Sequence, residues 1–218
     1  MKRTISLLFI IVLIGCSSSK NTDKILIEVF ERDQYIRNQM IELTKAVSKE
    51  GRTDLIDSLI NIYNQTQLID SQNIAVIDSI LENGLPKNLS KESYKTIWIV
   101  IDHASLEKQE QYLTTIQQMA NENLIKFNNY AILFDRIAMG NNRPQYYGSQ
   151  TVQFGNYDDI KLYVWPIENF HNIDSIRKSI GMSPMNEYIK QLKNATSIEA
   201  IYDSTITIEE LNIMRYSN

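Results

Sequence analysis

One cysteine, two histidines, four prolines and seven glycines in 218 residues set the first limits on this chain. A single thiol builds no disulfide framework, so Cys16 needs another role. Two histidines, His103 and His171, are too few for an imidazole cluster of the kind zinc favours. So few chain breakers argue against long disordered stretches, and 43% hydrophobic residues suffice for one sizeable core. Basic charge is also short, with 22 Lys and Arg against 26 Asp and Glu. Nucleic acid is held mainly through Lys/Arg patches, and this chain has none, so no nucleic-acid partner is expected. No internal repeat at solenoid periods is present.

What is there begins at the N-terminus. Met1-Lys2-Arg3, an apolar run from Ile5 to Ile14, and Gly15-Cys16 together have the form of a secretory signal ending in a lipobox. The run is about half of the roughly 20 residues that a transmembrane helix needs. The expectation is a signal peptide over 1–15 and a lipidated Cys16 carrying acyl chains such as palmitate. A short polar tether follows to about residue 23. Removing Lys2 and Arg3 leaves 20 basic residues against 26 acidic ones, so the acyl chains must do the anchoring. Ser17, rather than Asp, after the cysteine favours the outer membrane of a bacterial envelope, facing the periplasm. Surface display stays open.

Residues 24–218 read as a single α-rich domain. Val29, Ile36, Met40, Leu43 and Val47 lie on one helical face, and Gly51 ends that helix. Thr53 is placed to cap the next helix, with a stripe of Leu55, Leu59, Ile62, Ile69, Val76 and Ile80. It ends at Asn83-Gly84, before Pro86. Ser90 caps a helix bearing Tyr94, Ile97, Trp98 and Ile101, apolar nearly all round and therefore central. Leu106, Gln109, Leu113, Ile116 and Ala120 continue or restart it, and Leu124, Phe127, Ala131, Phe134 and Ala138 mark a further helix. Gln150–Phe154 and Lys161–Trp165 then read as a β-hairpin. Short helices are predicted around Ile173–Ile180 and Pro184–Leu192, and Thr207-x2-Glu210 has capping-box spacing. The fold class is mainly α, a helical bundle with one hairpin appended at about residues 150–165.

Purposeful polar residues gather between Asp102 and Gln150. His103-Ala104, Asp135-Arg136, Gln145-x-Tyr147-Gly148-Ser149-Gln150, Trp165-Pro166 and Arg177-x3-Gly181 occur in this order. The series resembles an uncharacterised bacterial domain family with a His-Ala, Asp-Arg and Gln-x-Tyr-Gly-Thr/Ser-Gln signature. Asp70-x2-Asn73 and Gly84-Leu85-Pro86 are similar to its upstream part, although Leu85 stands where that family tends to have Trp. The resemblance spans about residues 65–190 and implies no activity.

Two functions follow from these residues. A polar cleft of His103, Asp135, Arg136, Gln145, Tyr147 and Gln150, with Asp70, Asn73, Ser149 and Arg177 as weaker members, suits a binding module of the cell envelope. Its partner would be a small molecule or an envelope protein. Alternatively, His103 acts as a general base oriented by Asp135, with Arg136 clamping an anion, in a hydrolase-type enzyme. Ser149 lacks the strand-to-helix elbow of an exposed nucleophile. Beside both stands a structural reading. His103 is then a hydrogen-bonded core residue, Asp135-Arg136 pins the hairpin through backbone hydrogen bonds, and Gly148 supplies a positive φ. No metal and no cofactor is expected, since His103 and Glu107 share a helical face without further ligands.

Overall fold

A computed structural model describes residues 6–155 and 160–216. The basic start of the predicted signal, Met1-Lys2-Arg3, lies outside them, as does the side chain of Cys16. The described chain is mainly α-helical with one small sheet. It divides into two compact units, Met1–Ser105 and Leu106–Asn218.

In the first unit, α1 runs Ser6–Glu50 and takes in residues 17–21. No helix among the described residues is long and apolar enough to cross a membrane. The buried face of α1 is Leu26, Val29, Asp33 and Ile36, spaced by three, four and three as a helix requires. Gly51 ends α1 with φ +67°. Thr53 does not cap α2; a single 3-10 turn, Thr53–Leu55, precedes it, and α2 (Ile56–Leu81) starts without a side-chain cap. Its buried face is Ile62, Thr66, Asn73, Ile77 and Leu81. The predicted Ile69, Val76 and Ile80 lie only half-buried beside that face. The next helix, α3 (Lys91–His103), opens on the predicted cap: the Ser93 N–H donates to Ser90 Oγ at 3.1 Å. Ile97 and Ile101 are fully buried in it, whereas Trp98 and Ile99 are half-buried.

The second unit opens with α4 (Leu106–Asn121) and α5 (Phe127–Gly140), which pack together. Leu124 falls in the turn between them rather than in α5. The predicted hairpin is β1 (Thr151–Phe154) with β2 (Lys161–Val164), antiparallel in the register Thr151 to Val164 and Phe154 to Lys161. Helices α6 (Ile173–Ser179) and α7 (Met185–Thr196) follow. They return the chain to β3 (Glu199–Ile201), which pairs parallel to β2 and makes the sheet three-stranded. Sequence pattern missed β3, because three residues are too short to show an alternation. The last helix, α8 (Ile208–Tyr216), has the predicted capping box: Thr207 N–H donates to Glu210 Oε2 at 2.7 Å, and Glu210 N–H to Thr207 Oγ1 at 3.2 Å. Val164, Ile167, Ile173 and Met185 form one core cluster, and Phe154, Trp165 and Leu211 another.

Candidate functional site

The candidate residues fall into two groups, one in each unit. In the second unit they converge on the segment 145–150 and hold its backbone. Asp135 is fully buried on α5. Its Oδ1 accepts from the N–H groups of Tyr146 (2.8 Å) and Tyr147 (2.9 Å). Its Oδ2 accepts from the N–H and the hydroxyl of Ser149, both at 2.9 Å. Burial pushes this carboxyl above its ordinary value, against those same donors. Arg177, 1% exposed, holds the opposite polarity of the segment: Nη1 donates to the carbonyls of Tyr147 and Gly148, each at 2.9 Å, and Nε to Ser183 O at 2.6 Å. Its guanidinium lies 4.5 Å from the Tyr188 ring centre, and the Tyr188 hydroxyl donates to Ser149 O.

Gln145 closes the same segment on itself. Its Nε2 donates to the carbonyls of Gln150 and Trp165, and its Oε1 accepts from the Gln150 N–H. Gln150 in turn donates from Nε2 to Ile132 O. Gly148 has φ +69°, and a Cβ there would come within 2.9 Å of Ile167 Cδ1 and 3.1 Å of Met185 Sδ, so a larger residue would be strained. Tyr147 is half-buried against Phe127, Phe134 and Tyr146, and burial first, then the neighbouring tyrosines, pushes its hydroxyl up to about 12. Arg136 is half-buried on α5, next in sequence to Asp135. Apart from the Ser149 hydroxyl on Asp135, these hydrogen bonds of Asp135, Gln145 and Arg177 all go to backbone, which is the work of fasteners.

The other group lies in the first unit, where three helices meet around His103. At the C-terminal end of α3, His103 donates from Nδ1 to Asp33 Oδ1 on α1 at 3.1 Å. The same oxygen accepts from Arg37 Nε at 3.3 Å, and Asp33 Oδ2 accepts from Gln34 Nε2. Arg37 reaches on to Asp70 of α2 with Nη2 at 2.5 Å. Arg32 donates from Nε and Nη2 to Asn73 Oδ1. The side chain of Asp33 is fully buried, while those of His103, Arg37 and Asp70 keep 22%, 19% and 15% of their surface. This centre is therefore partly exposed, and Nε2 is the His103 nitrogen that Asp33 does not engage.

Charge divides within the cluster. Burial raises the Asp33 carboxyl, but the His103 hydrogen bond and the fields of His103 and Arg37 outweigh it and leave the group below its ordinary value. Asp70 stays above its ordinary value, because burial outweighs Arg37. A raised carboxyl gives stability that is present below its unfolded value, about 3.9, and lost as pH rises through the folded one. Asp70→Asn removes that loss. Its melting temperature, relative to wild type, is expected to improve between about pH 4 and neutrality. A constant difference across that range would show that folding does not penalise the Asp70 charge.

One oxygen or nitrogen from each of Asp33, Asp70 and His103 lies within 4.8 Å of the others, a donor set able to hold a metal ion. The sequence reading found His103, Asp70 and Asn73 but missed Asp33, Arg37 and Arg32. A signal for Asp33 was present: it fills the seven-residue gap between Val29 and Ile36, on the apolar face itself.

Among known proteins, no curated protein and no solved structure matches this chain. One family of domains, described as a family of unknown function, matches residues 21–200. The match starts upstream of Asp33, and so covers the whole His103 cluster as well as the 145–150 segment.

Proposed function

The chain belongs to that family of unknown function, DUF6624, from which no activity carries over, and we propose that it is a lipid-anchored binding protein of the bacterial cell envelope. Cys16 is the anchor, and the ligand site is the His103 cluster of the first unit. The supporting observation is the part-exposed meeting of His103, Asp33, Arg37 and Asp70 on three different helices. In the second unit Asp135, Gln145 and Arg177 bond chiefly to backbone, whereas the His103 ring, held by Asp33 through Nδ1, keeps part of its surface exposed. The periplasmic face of the outer membrane suits the Ser17 signal that follows the cysteine.

A second reading has one observation in its favour, the hydrogen bond between Asp33 and His103 Nδ1. A carboxylate in that position fixes the tautomer and orients Nε2 as a general base toward a water molecule. Asp33 here takes the orienting role first given to Asp135, and Arg37, which shares Asp33 Oδ1 with His103, is the guanidinium to clamp an anion.

Two measurements test these readings. Labelled palmitate is expected to enter the wild-type chain and not Cys16→Ala; equal labelling would remove the anchor. Native mass spectrometry of the full chain taken from membranes is expected to show a retained small ligand in the wild type that is missing from His103→Ala. No retained ligand, together with turnover of an ester or phosphoester panel that His103→Ala abolishes, would replace binding with catalysis.

A further inference from the structure

We infer that Asp33, Asp70 and His103 form a site for one divalent transition-metal ion, with Arg37 as the internal cation that the metal replaces. This names the ligand class of the proposed binding site and rests on that reading.

Geometry is the first support. Two carboxylates and an imidazole, contributed by α1, α2 and α3, offer donor atoms that all lie within 4.8 Å of one another. A tetrahedral ion with bonds of about 2.1 Å holds its donors roughly 3.4 Å apart. The cluster needs to close by little more than an ångström to take one up. Three protein ligands leave a fourth position for water or substrate, as in catalytic rather than structural sites. A set of one nitrogen and two carboxylate oxygens suits zinc or manganese better than the all-oxygen preference of calcium and magnesium.

The second support is Asn73, one turn beyond Asp70 on α2 and 1% exposed. Arg32 fixes the orientation of its amide by donating twice to Oδ1. Its Nδ2 then has no hydrogen-bond partner. A buried N–H donor without an acceptor is costly, and such a group calls for an explanation. An ion held by Asp70, three residues earlier on the same helix, would bring a water or hydroxide to that side of α2 as an acceptor.

Arg37 is the competing cation. Its guanidinium bridges Asp33 and Asp70, compensating two carboxylates that share one site. With 19% of its side chain exposed, it can swing toward solvent when an ion enters. Two positive charges do not remain together between the same carboxylates. Arginine thus sets the affinity, and its removal strengthens metal binding rather than weakening it. A merely structural salt bridge would not give that sign.

The test is calorimetric titration of Zn²⁺, and separately Mn²⁺, into the full chain in detergent after treatment with a chelator. The expected result is one ion per chain for wild type, with affinity raised on the order of tenfold in Arg37→Gln. Asp70→Asn is expected to lose about 100-fold. The gain in Arg37→Gln is decisive, because a misfolded variant cannot bind more tightly. No stoichiometric uptake of either ion by wild type and Arg37→Gln would overturn the metal site. Retention of another small molecule, still dependent on His103, would leave the binding reading standing without the metal. Uptake unaffected by both Asp70→Asn and His103→Ala would also overturn the site, by placing the ion elsewhere.

Discussion

Asp135→Ala is expected to destabilise the second unit by about 3–5 kcal/mol, lowering its melting temperature by roughly 10–20 °C. The carboxylate accepts three backbone N–H groups and one hydroxyl, all within the 146–149 segment. Alanine leaves these donors facing a void in a fully buried position, and each unsatisfied donor costs about 1–3 kcal/mol. Ser149→Ala, which removes the hydroxyl bond alone, should cost only about 1 kcal/mol. Asp135→Asn is expected to fall between, since it turns one acceptor into a donor that meets another donor. Thermal melts of the three variants check this order. A shift of less than about 3 °C for Asp135→Ala would mean that the segment holds its shape without the carboxylate.

The second large effect belongs to Arg177. Arg177→Ala is expected to cost about 3–4 kcal/mol, read as a lower urea midpoint with unchanged slope. Its guanidinium satisfies the carbonyls of Tyr147, Gly148 and Ser183 and underlies the Tyr188 ring. Truncation orphans three acceptors and opens a cavity beside Tyr188. Lysine should rescue little, because one ammonium cannot reproduce a planar fork that reaches Tyr147, Gly148 and Ser183 together. Asp135 and Arg177 grip the same short stretch, Asp135 by the N–H groups of Tyr146, Tyr147 and Ser149 and Arg177 by the carbonyls of Tyr147 and Gly148. The double variant should therefore lose less than the sum of the singles. Strict additivity would show two independent contacts in place of a shared clasp.

Legibility of the fold followed the length of each pattern. Long stripes gave the helices, the box at Thr207 and Glu210 gave the start of α8, and β-branched clusters gave the hairpin to within a residue. Register was harder to read. On α2, Ile69, Val76 and Ile80 and the buried Ile62, Thr66, Asn73, Ile77 and Leu81 lie on adjoining faces, and the apolar count alone chose the wrong one. Two of the buried members, Thr66 and Asn73, are polar. Asp33 sits in the seven-residue gap of the α1 stripe, and Asn73 in the gap between Ile69 and Val76. Such a gap in an apolar stripe marks a buried polar residue, but not its partner. Asp33 meets His103 across 70 positions of sequence, a distance that no local pattern carries. The 145–150 segment was legible as a turn because Gly148 and its polar neighbours are local. That its fastener Arg177 comes from α6 was not.

Strand β3 has a consequence for the order in which the second unit assembles. Hairpin partners such as Phe154 and Lys161 lie close in sequence, whereas Lys161 and Glu199 pair only after α6 and α7 have intervened. Loop-closure entropy favours the near pairing first, so a refolding chain passes through a two-stranded stage. At that stage β2 is an edge, offering unpaired N–H and C=O groups along Lys161, Leu162 and Tyr163 to any neighbouring molecule. The interval lasts until residues 199–201 pair with β2. A chain cut short before Glu199 never leaves it, and aggregation is then its natural fate.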